Sequence, residues 1–253
     1  MTGRLEIVPL APLPEVQPGD PLGELIAAAA PDAEPRDGDV IVVSQKIVSK
    51  AEGRLRRLGE VEPGPRAAAL AEQIDRDPRL VELVLGESRR VVRAETSALI
   101  VETHSGWICA NAGIDASNVP GADTVLLLPE DADASARRLR AALTEGLGGE
   151  RPAVVIADSF GRPWRLGQTE IAIGCAGLIP IDDWHGREDT QGRPLAATAV
   201  AIADQLAGAA DLAREKTSQQ PAVLLRGAQR WWTSDDGPGA VALQRPADKD
   251  LFR

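Results

Sequence analysis

The sequence has no tyrosine, two phenylalanines and five tryptophans among its 253 residues. So few rings leave little material for stacking the bases of a nucleic-acid strand. Positive charge is also in the minority. Lys and Arg number 28 against 38 Asp and Glu, a formal net charge of −10. Coating a phosphate backbone needs a basic footprint, so no nucleic-acid partner is expected. Cysteine is represented only by Cys109 and Cys175. Two thiols cannot make a disulfide framework or a cysteine-only zinc site. One chance disulfide stays open, but isolated thiols fit a reducing, cytoplasmic setting. His104 and His185 are the only histidines, which excludes a histidine-rich zinc centre. No run of about 18 apolar residues occurs, so no membrane partner is expected. The opening MTGRLEIVPLAPLPEV carries an early Arg, an acid and three prolines, and does not read as a signal peptide.

Familiar catalytic signatures are missing too. There is no GxxxxGK(S/T) phosphate loop, no GxGxxG after a strand and no GxSxG nucleophile turn. What is present is an ordinary globular composition, 43% apolar and 26% charged, in a length that suits one large domain or two small ones.

Short apolar runs alternate with stretches of helical period. Val40–Val43 follows the turn pair Asp37-Gly38 and reads as a buried strand. Leu70 and Ile74 place a helix over 66–76. Asp77-Pro78 breaks it, and Leu80, Val81 and Val84 begin a second. Thr124–Leu128 reads as a strand. Ala136, Leu139, Leu143 and Leu147 form one stripe over 133–147, with Asp133 or Ser135 as N-cap and Gly148-Gly149 as the stop. Ala153–Ala157 reads as a strand, 197–213 as an alanine-rich helix and Val223–Leu225 as a last strand. Several connections are too long for hairpins, so part of the sheet is expected to be parallel. The Gly- and Pro-rich stretch after Trp232 reads as a tail or linker, with Trp231-Trp232 anchoring it.

Three stretches carry candidate chemistry, each with two readings. In NAGIDASN, residues 111–118, Asp115 stands among small residues. A carboxylate there could hold a hard divalent ion, or Asp and Asn could close a turn on their own backbone. Asp158 and Ser159 follow the apolar strand 153–157, with Arg162 and Arg165 beyond. Ligands of open α/β sheets bind at such strand ends, and an Asp with a hydroxyl can share a cation with phosphate. The alternative is a cap or a plain turn. Lys46 and Lys50 stand four apart in SQKIVSK, on one side of a helical turn. Such a pair is ordinarily a solvated surface. Yet the chain has only four lysines, and two lie within these five residues. A compact ammonium suits a single phosphate oxygen better than a planar guanidinium does. The acid-, Arg- and Gly-dense 181–195 reads as an ordered surface loop anchored by Trp184.

Four motifs together resemble a known family. DGDVIVVSQKIVSKAEGR (37–54), NAGIDASNVPG (111–121), IADSFGRPWRLGQTEIAIGCAG (156–177) and DWHGREDTQGRPL (183–195) look like coenzyme F420-0:γ-glutamyl ligase, in the family's order. The similarity runs from about Leu5 to Gly227. The resemblance implies an α+β fold, a mixed β-sheet with helices in two intertwined subdomains, working as a homodimer. Residues 1–232 would be the ligase domain and 233–253 a tail or linker. It implies a GTP-dependent ligase that joins L-glutamate to the lactyl carboxylate of F420-0 through an acyl phosphate, then adds a γ-linked glutamate. Two divalent ions, Mg²⁺ or Mn²⁺, would take part, with K⁺ as a helper.

Carried over by motif, the resemblance makes Asp115 and Asp158 catalytic. Asp115, Asp158 and Ser159 would be metal ligands. Leu13, Pro14, Glu15, Val16, Gln45, Lys46, Lys50 and Asn118 would be nucleotide contacts. The chain departs from the family at LAREKTSQQPAV, 212–223, where a glycine-rich loop is expected. Glu215 is the only acid there and becomes the candidate metal ligand. Nucleotide contacts are expected between Arg214 and Gln220, Lys216 among them. The resemblance fits a free-standing ligase or the N-terminal part of a bifunctional bacterial form. The alternatives are a ligase of the same fold for another carboxylate, and a non-catalytic nucleotide-binding protein.

Overall fold

The structure is a computed structural model, and it describes residues 3–117, 119, 121, 123–214 and 218–251. The chain begins with β1 (Glu6–Pro9), α1 (Leu22–Ala28), β2 (Val40–Ser44), α2 (Gln45–Ala51) and β3 (Leu55–Arg57). Next come α3 (Pro65–Ile74), α4 (Pro78–Gly86), β4 (Ser88–Glu95), β5 (Ala98–Thr103), β6 (Ile108–Ala110) and β7 (Thr124–Leu126). The rest is α5 (Ala132–Gly146), β8 (Ala153–Arg162), β9 (Arg165–Ala176), β10 (Ile181–Asp183), β11 (Ala199–Ala201), α6 (Ile202–Asp211) and β12 (Ala222–Arg226). The fold is mixed α+β.

A five-stranded sheet in the order β1-β12-β2-β8-β9 forms the frame. Only the β2–β8 pair is parallel; the other three pairs are antiparallel. Successive residues of a strand face opposite ways. Ile41, Val43, Val154, Ile156 and Leu224 accordingly meet α1 and α5 on one face. Val40, Val42, Val155, Val223 and Leu225 meet Ile202, Leu206 and Ala210 of α6 on the other. Two-sided burial explains why β2, the first half of β8 and β12 read as unbroken apolar runs. A separate, smaller core packs Ala67, Ala71 and Ile74 of α3 and Val81 and Val84 of α4 against Leu99 and Val101 of β5.

Several boundaries differ from the sequence reading, each for a physical reason. The N-cap of α5 is Asp131, whose side chain accepts from Ala134 N. Asp133 is occupied elsewhere: its Oδ1 accepts from Cys175 N at 2.8 Å and Ala240 N at 2.7 Å. Ser135 instead donates to Glu52 Oε1 at 2.5 Å. Residues 199–201 pair with β10, so the helix placed over 197–213 starts at Ile202. The strand expected to stop at Ala157 runs on to Arg162 and turns directly into β9, a hairpin. Residues 233–244 lie folded onto the body. Trp231 and Trp232 pack against the second face, and Trp232 Nε1 donates to Arg151 O at 2.9 Å. Cys109 and Cys175 are both buried and free of any disulfide.

Candidate functional site

The parallel β2–β8 pair sets the site. Ser44 ends β2 and caps α2 by accepting from Lys46 N. The chain therefore enters a helix at once, and Lys46 and Lys50 both line one large cleft of about 1560 Å³. Beside β2, β8 carries Asp158 and Ser159 to the same cleft. The segment Leu13–Val16 forms one rim, held by Leu13 N donating to Gln219 O at 2.9 Å. Ile100 of β5 and Ile108 and Ala110 of β6, in a separate three-stranded sheet β4-β5-β6, supply an apolar wall.

Asp115 arrives through an unusual turn. Asn111, Ala112 and Gly113 have φ of 51°, 55° and 71°, three left-handed residues in a row. Such a run is costly for residues bearing a Cβ. At Gly113 a Cβ would lie 2.5 Å from Leu128 Cδ1, so glycine is needed there. After the turn, Asp115 pairs with Leu126 through two backbone bonds of 3.0 and 2.8 Å. Its carboxylate then accepts from Ser117 N at 2.6 Å, closing an Asx turn, and pairs with Lys46 Nζ at 2.7 Å. The two readings of this motif are thus compatible: Asp115 closes its own turn and also faces the cleft.

The two aspartates sit in opposite electrostatic settings. For Asp115, burial pushes the carboxyl upward. The Lys46 ammonium and the two donors of Ser117 together outweigh it and hold the group below its ordinary 3.8. Asp158 is pushed up from 3.8 to about 7, first by burial, then by the nearby charges of Glu170 and Asp115. The backbone N–H of Ser159 and the charge of Lys46 oppose the rise and do not cancel it. Cys109 also lines the cleft. Burial, helped by Asp158, pushes its thiol up to about 12, so it is not a thiolate nucleophile.

Leu13, Pro14, Glu15, Val16, Lys46, Lys50, Asp115, Asp158 and Ser159 all line the one cleft. Lys50 is 5% exposed and pairs with Glu15 at 2.5 Å. Gln45 is placed differently. It is buried, its Oε1 accepts from Ser49 Oγ at 2.9 Å, and it is not among the cleft-lining residues. Asn118, Glu215 and Lys216 lie outside the described residues. The loop 183–195 does not line the cleft. There Arg187 lies over the Trp184 ring at 4.9 Å.

One charged residue at the cleft, Glu170, had no role in the sequence reading, and its partner Arg214 was placed there only at the edge of the range 214–220 expected to contact nucleotide. Glu170 on β9 faces Ser159 across the hairpin and accepts its hydroxyl hydrogen. Arg214, at the end of the 202–214 segment, pairs with Glu170 at 3.0 Å. The one signal for Glu170 was an acid opening the apolar run EIAIGCA.

A model of the F420-0:gamma-glutamyl ligase family matches residues 11–227. The chain belongs to that family. It is 44% identical to the coenzyme F420:L-glutamate ligase of Methanopyrus kandleri, over 100% of this chain and 98% of that protein. It is 42% identical to the coenzyme F420:L-glutamate ligase of Methanothermobacter thermautotrophicus, over 98% of this chain and 99% of that protein. The protein of the same name from Haloarcula marismortui is 41% identical, over 98% of this chain and 96% of that protein. Among the described residues, no helix is long and apolar enough to cross a membrane.

Proposed function

We propose that the protein joins L-glutamate to the lactyl carboxylate of coenzyme F420-0 at the expense of GTP, and then adds a second, γ-linked glutamate. The observation that carries this reading is the meeting of Lys46, Lys50, Asp115 and Asp158 in one cleft of a chain belonging to the ligase family. The γ-phosphoryl group passes from GTP to a carboxylate oxygen of the acceptor, leaving GDP. The glutamate nitrogen attacks the acyl carbon, the carbon–oxygen bond to phosphate breaks, and phosphate departs. The nitrogen loses its proton to solvent. Such chemistry needs positioning and charge neutralisation more than a dedicated base.

The side chains divide the work. The Lys46 and Lys50 ammonium groups suit phosphate oxygens, with Leu13–Val16 as the rim against which the nucleotide lies. Asp115, Asp158 and Ser159 offer only oxygen, the donor type that Mg²⁺ and Mn²⁺ prefer. The crowding of Asp158 by Glu170 and Asp115 marks a place short of positive charge, which fits a divalent cation. Among the described residues, no group of three or more His, Cys, Asp or Glu is close enough together to hold an ion. Asp115, Asp158 and Ser159 therefore fit as part of a coordination shell. Phosphate oxygens and Glu215 are the candidates to complete it for two ions, with K⁺ as an accessory. Bound cations would offset the charge of substrates that are all anions, on a chain of net charge −10. Work as a homodimer in the cytoplasm completes the reading; the two buried free thiols are consistent with a reducing compartment.

The test is a reaction of purified protein with F420-0, L-glutamate, GTP and Mn²⁺, read by mass spectrometry. Glutamylated product, and its loss when any one component is left out, is expected. Absence of product with every component present would refute the assignment. Light scattering gives the subunit number.

A further inference from the structure

Ser159 and Glu170 are register partners across the β8–β9 hairpin, next to Asp158. The Glu170 carboxylate is 6% exposed. Its Oε1 accepts the hydrogen of the Ser159 hydroxyl, and its Oε2 pairs with Arg214 Nη2 at 3.0 Å. Arg214 is itself held by Asp211 at 3.5 Å. The result is a chain running from the exposed Asp211 through the buried Arg214 and Glu170 side chains to the cleft hydroxyl.

A serine hydroxyl has one hydrogen and two lone pairs. With the hydrogen committed to Glu170, the oxygen can only accept from, or ligate, what enters the cleft. Without a buried acceptor behind it, the hydroxyl would rotate freely and could offer its hydrogen forward, which repels a cation. We propose that Glu170 is a positioning residue that fixes Ser159 Oγ as an electron-pair donor to a divalent cation, with Arg214 holding Glu170 in place. This rests on the reading that Asp158 and Ser159 bind such a cation. Burial of the carboxylate serves that purpose, since its guanidinium partner compensates a charge that would otherwise be costly.

The experiment is Mn²⁺ binding to the full chain, followed through the spin-resonance signal of free Mn²⁺ with and without GDP. Ser159→Ala, Glu170→Gln, their double variant and Asp158→Asn are compared, each with a melting curve. A residue acting behind a ligand typically changes metal affinity about 10- to 100-fold. Glu170→Gln is expected to weaken Mn²⁺ binding about 10-fold or more in the parent and to add nothing in the Ser159→Ala background. Equal weakening in both backgrounds would overturn the proposal, because Glu170 would then act on the ion without Ser159. If Ser159→Ala weakens binding and Glu170→Gln does not, the proposal fails while the cation site stands. Parent-like binding by both Ser159→Ala and Asp158→Asn would remove the cation site and the proposal together. Should Glu170→Gln not fold, Arg214→Gln interrogates the same chain from its other end. It is expected to weaken binding only when Ser159 is present, and equal weakening without Ser159 would overturn the proposal.

Discussion

The ammonium of Lys46 lies 2.7 Å from the carboxylate of Asp115, and this ion pair ties the first lysine-bearing motif to the turn at 111–117. Ser117 reinforces it by accepting from Lys46 Nζ at 2.6 Å while donating to Asp115 at 3.0 Å. Each charge therefore has a partner before any ligand arrives. Under the proposed function, a phosphate would meet Lys46 and a cation would meet Asp115, each a partner of opposite charge.

Lys46→Ala is expected to weaken GTP binding about 10- to 100-fold, the worth of a hydrogen bond to a charged group. Lys46→Arg should fall between, because a planar guanidinium does not reproduce a compact ammonium. Titration calorimetry with GTP and Mn²⁺ measures both. Parent-like binding by the two variants would make the lysine incidental.

The raised carboxyl of Asp158 gives a pH prediction with a definite sign. Its folded value is about 7 against an ordinary 3.8, so the folded protein holds this proton more tightly than the unfolded chain. The stability it contributes is complete below 3.8 and is lost as pH rises through about 7. Asp158→Asn is therefore expected to melt above the parent at about pH 8 without added metal, with the difference shrinking toward about pH 5. In the parent, Mn²⁺ affinity should climb through neutrality as the proton leaves. Parallel melting curves for parent and variant at every pH would contradict this.

Arg140 is fully buried and bonds the segment that follows Trp232. It donates to Thr233 O at 2.6 Å and Asp235 O at 2.5 Å, and pairs with Asp236 at 3.0 Å. Arg140→Met leaves these acceptors unsatisfied and is expected to cost about 2–4 kcal/mol. Urea unfolding checks the figure, and limited proteolysis after Thr233 should become faster. An unchanged midpoint would mean that the segment is held by its apolar contacts alone.

The parts of the fold legible in the sequence are those where one physical signal dominates. Val40–Val43 and Ala153–Ala157 are buried on both faces, so they read as apolar runs. The break at Asp77-Pro78 was legible because Asp77 caps α4 and Pro78 opens it. Strand β4 was not, since its exposed charged residues leave only a partial alternation. The second half of β8 was hidden because its charged and hydroxyl residues Asp158, Ser159 and Arg162 line the cleft, and only pairing with β9 keeps the segment extended. Among the site residues, Lys46, Lys50, Asp115 and Asp158 were found through motifs, and the structure brings these four to one cleft. Glu170 lies inside the motif 156–177 but was given no role, because its partners Ser159 and Arg214 are set by strand register and chain placement, not by local spacing. The burial of Gln45 follows from the inward face of the first turn of α2, which the four-residue spacing of the lysines did not specify.

The most direct test of the proposed chemistry follows the oxygen atoms of the acceptor carboxylate. F420-0 labelled with oxygen-18 in its lactyl carboxylate is turned over with GTP, L-glutamate and Mn²⁺, and the released phosphate is analysed by mass spectrometry. One labelled oxygen in phosphate for each lactyl amide formed is the expected result, because the acyl phosphate surrenders a lactyl carboxylate oxygen to its leaving group; phosphate released in the second, γ-linked addition carries no label, since its oxygen comes from glutamate. Lactyl amide formed with no labelled phosphate at all would contradict it.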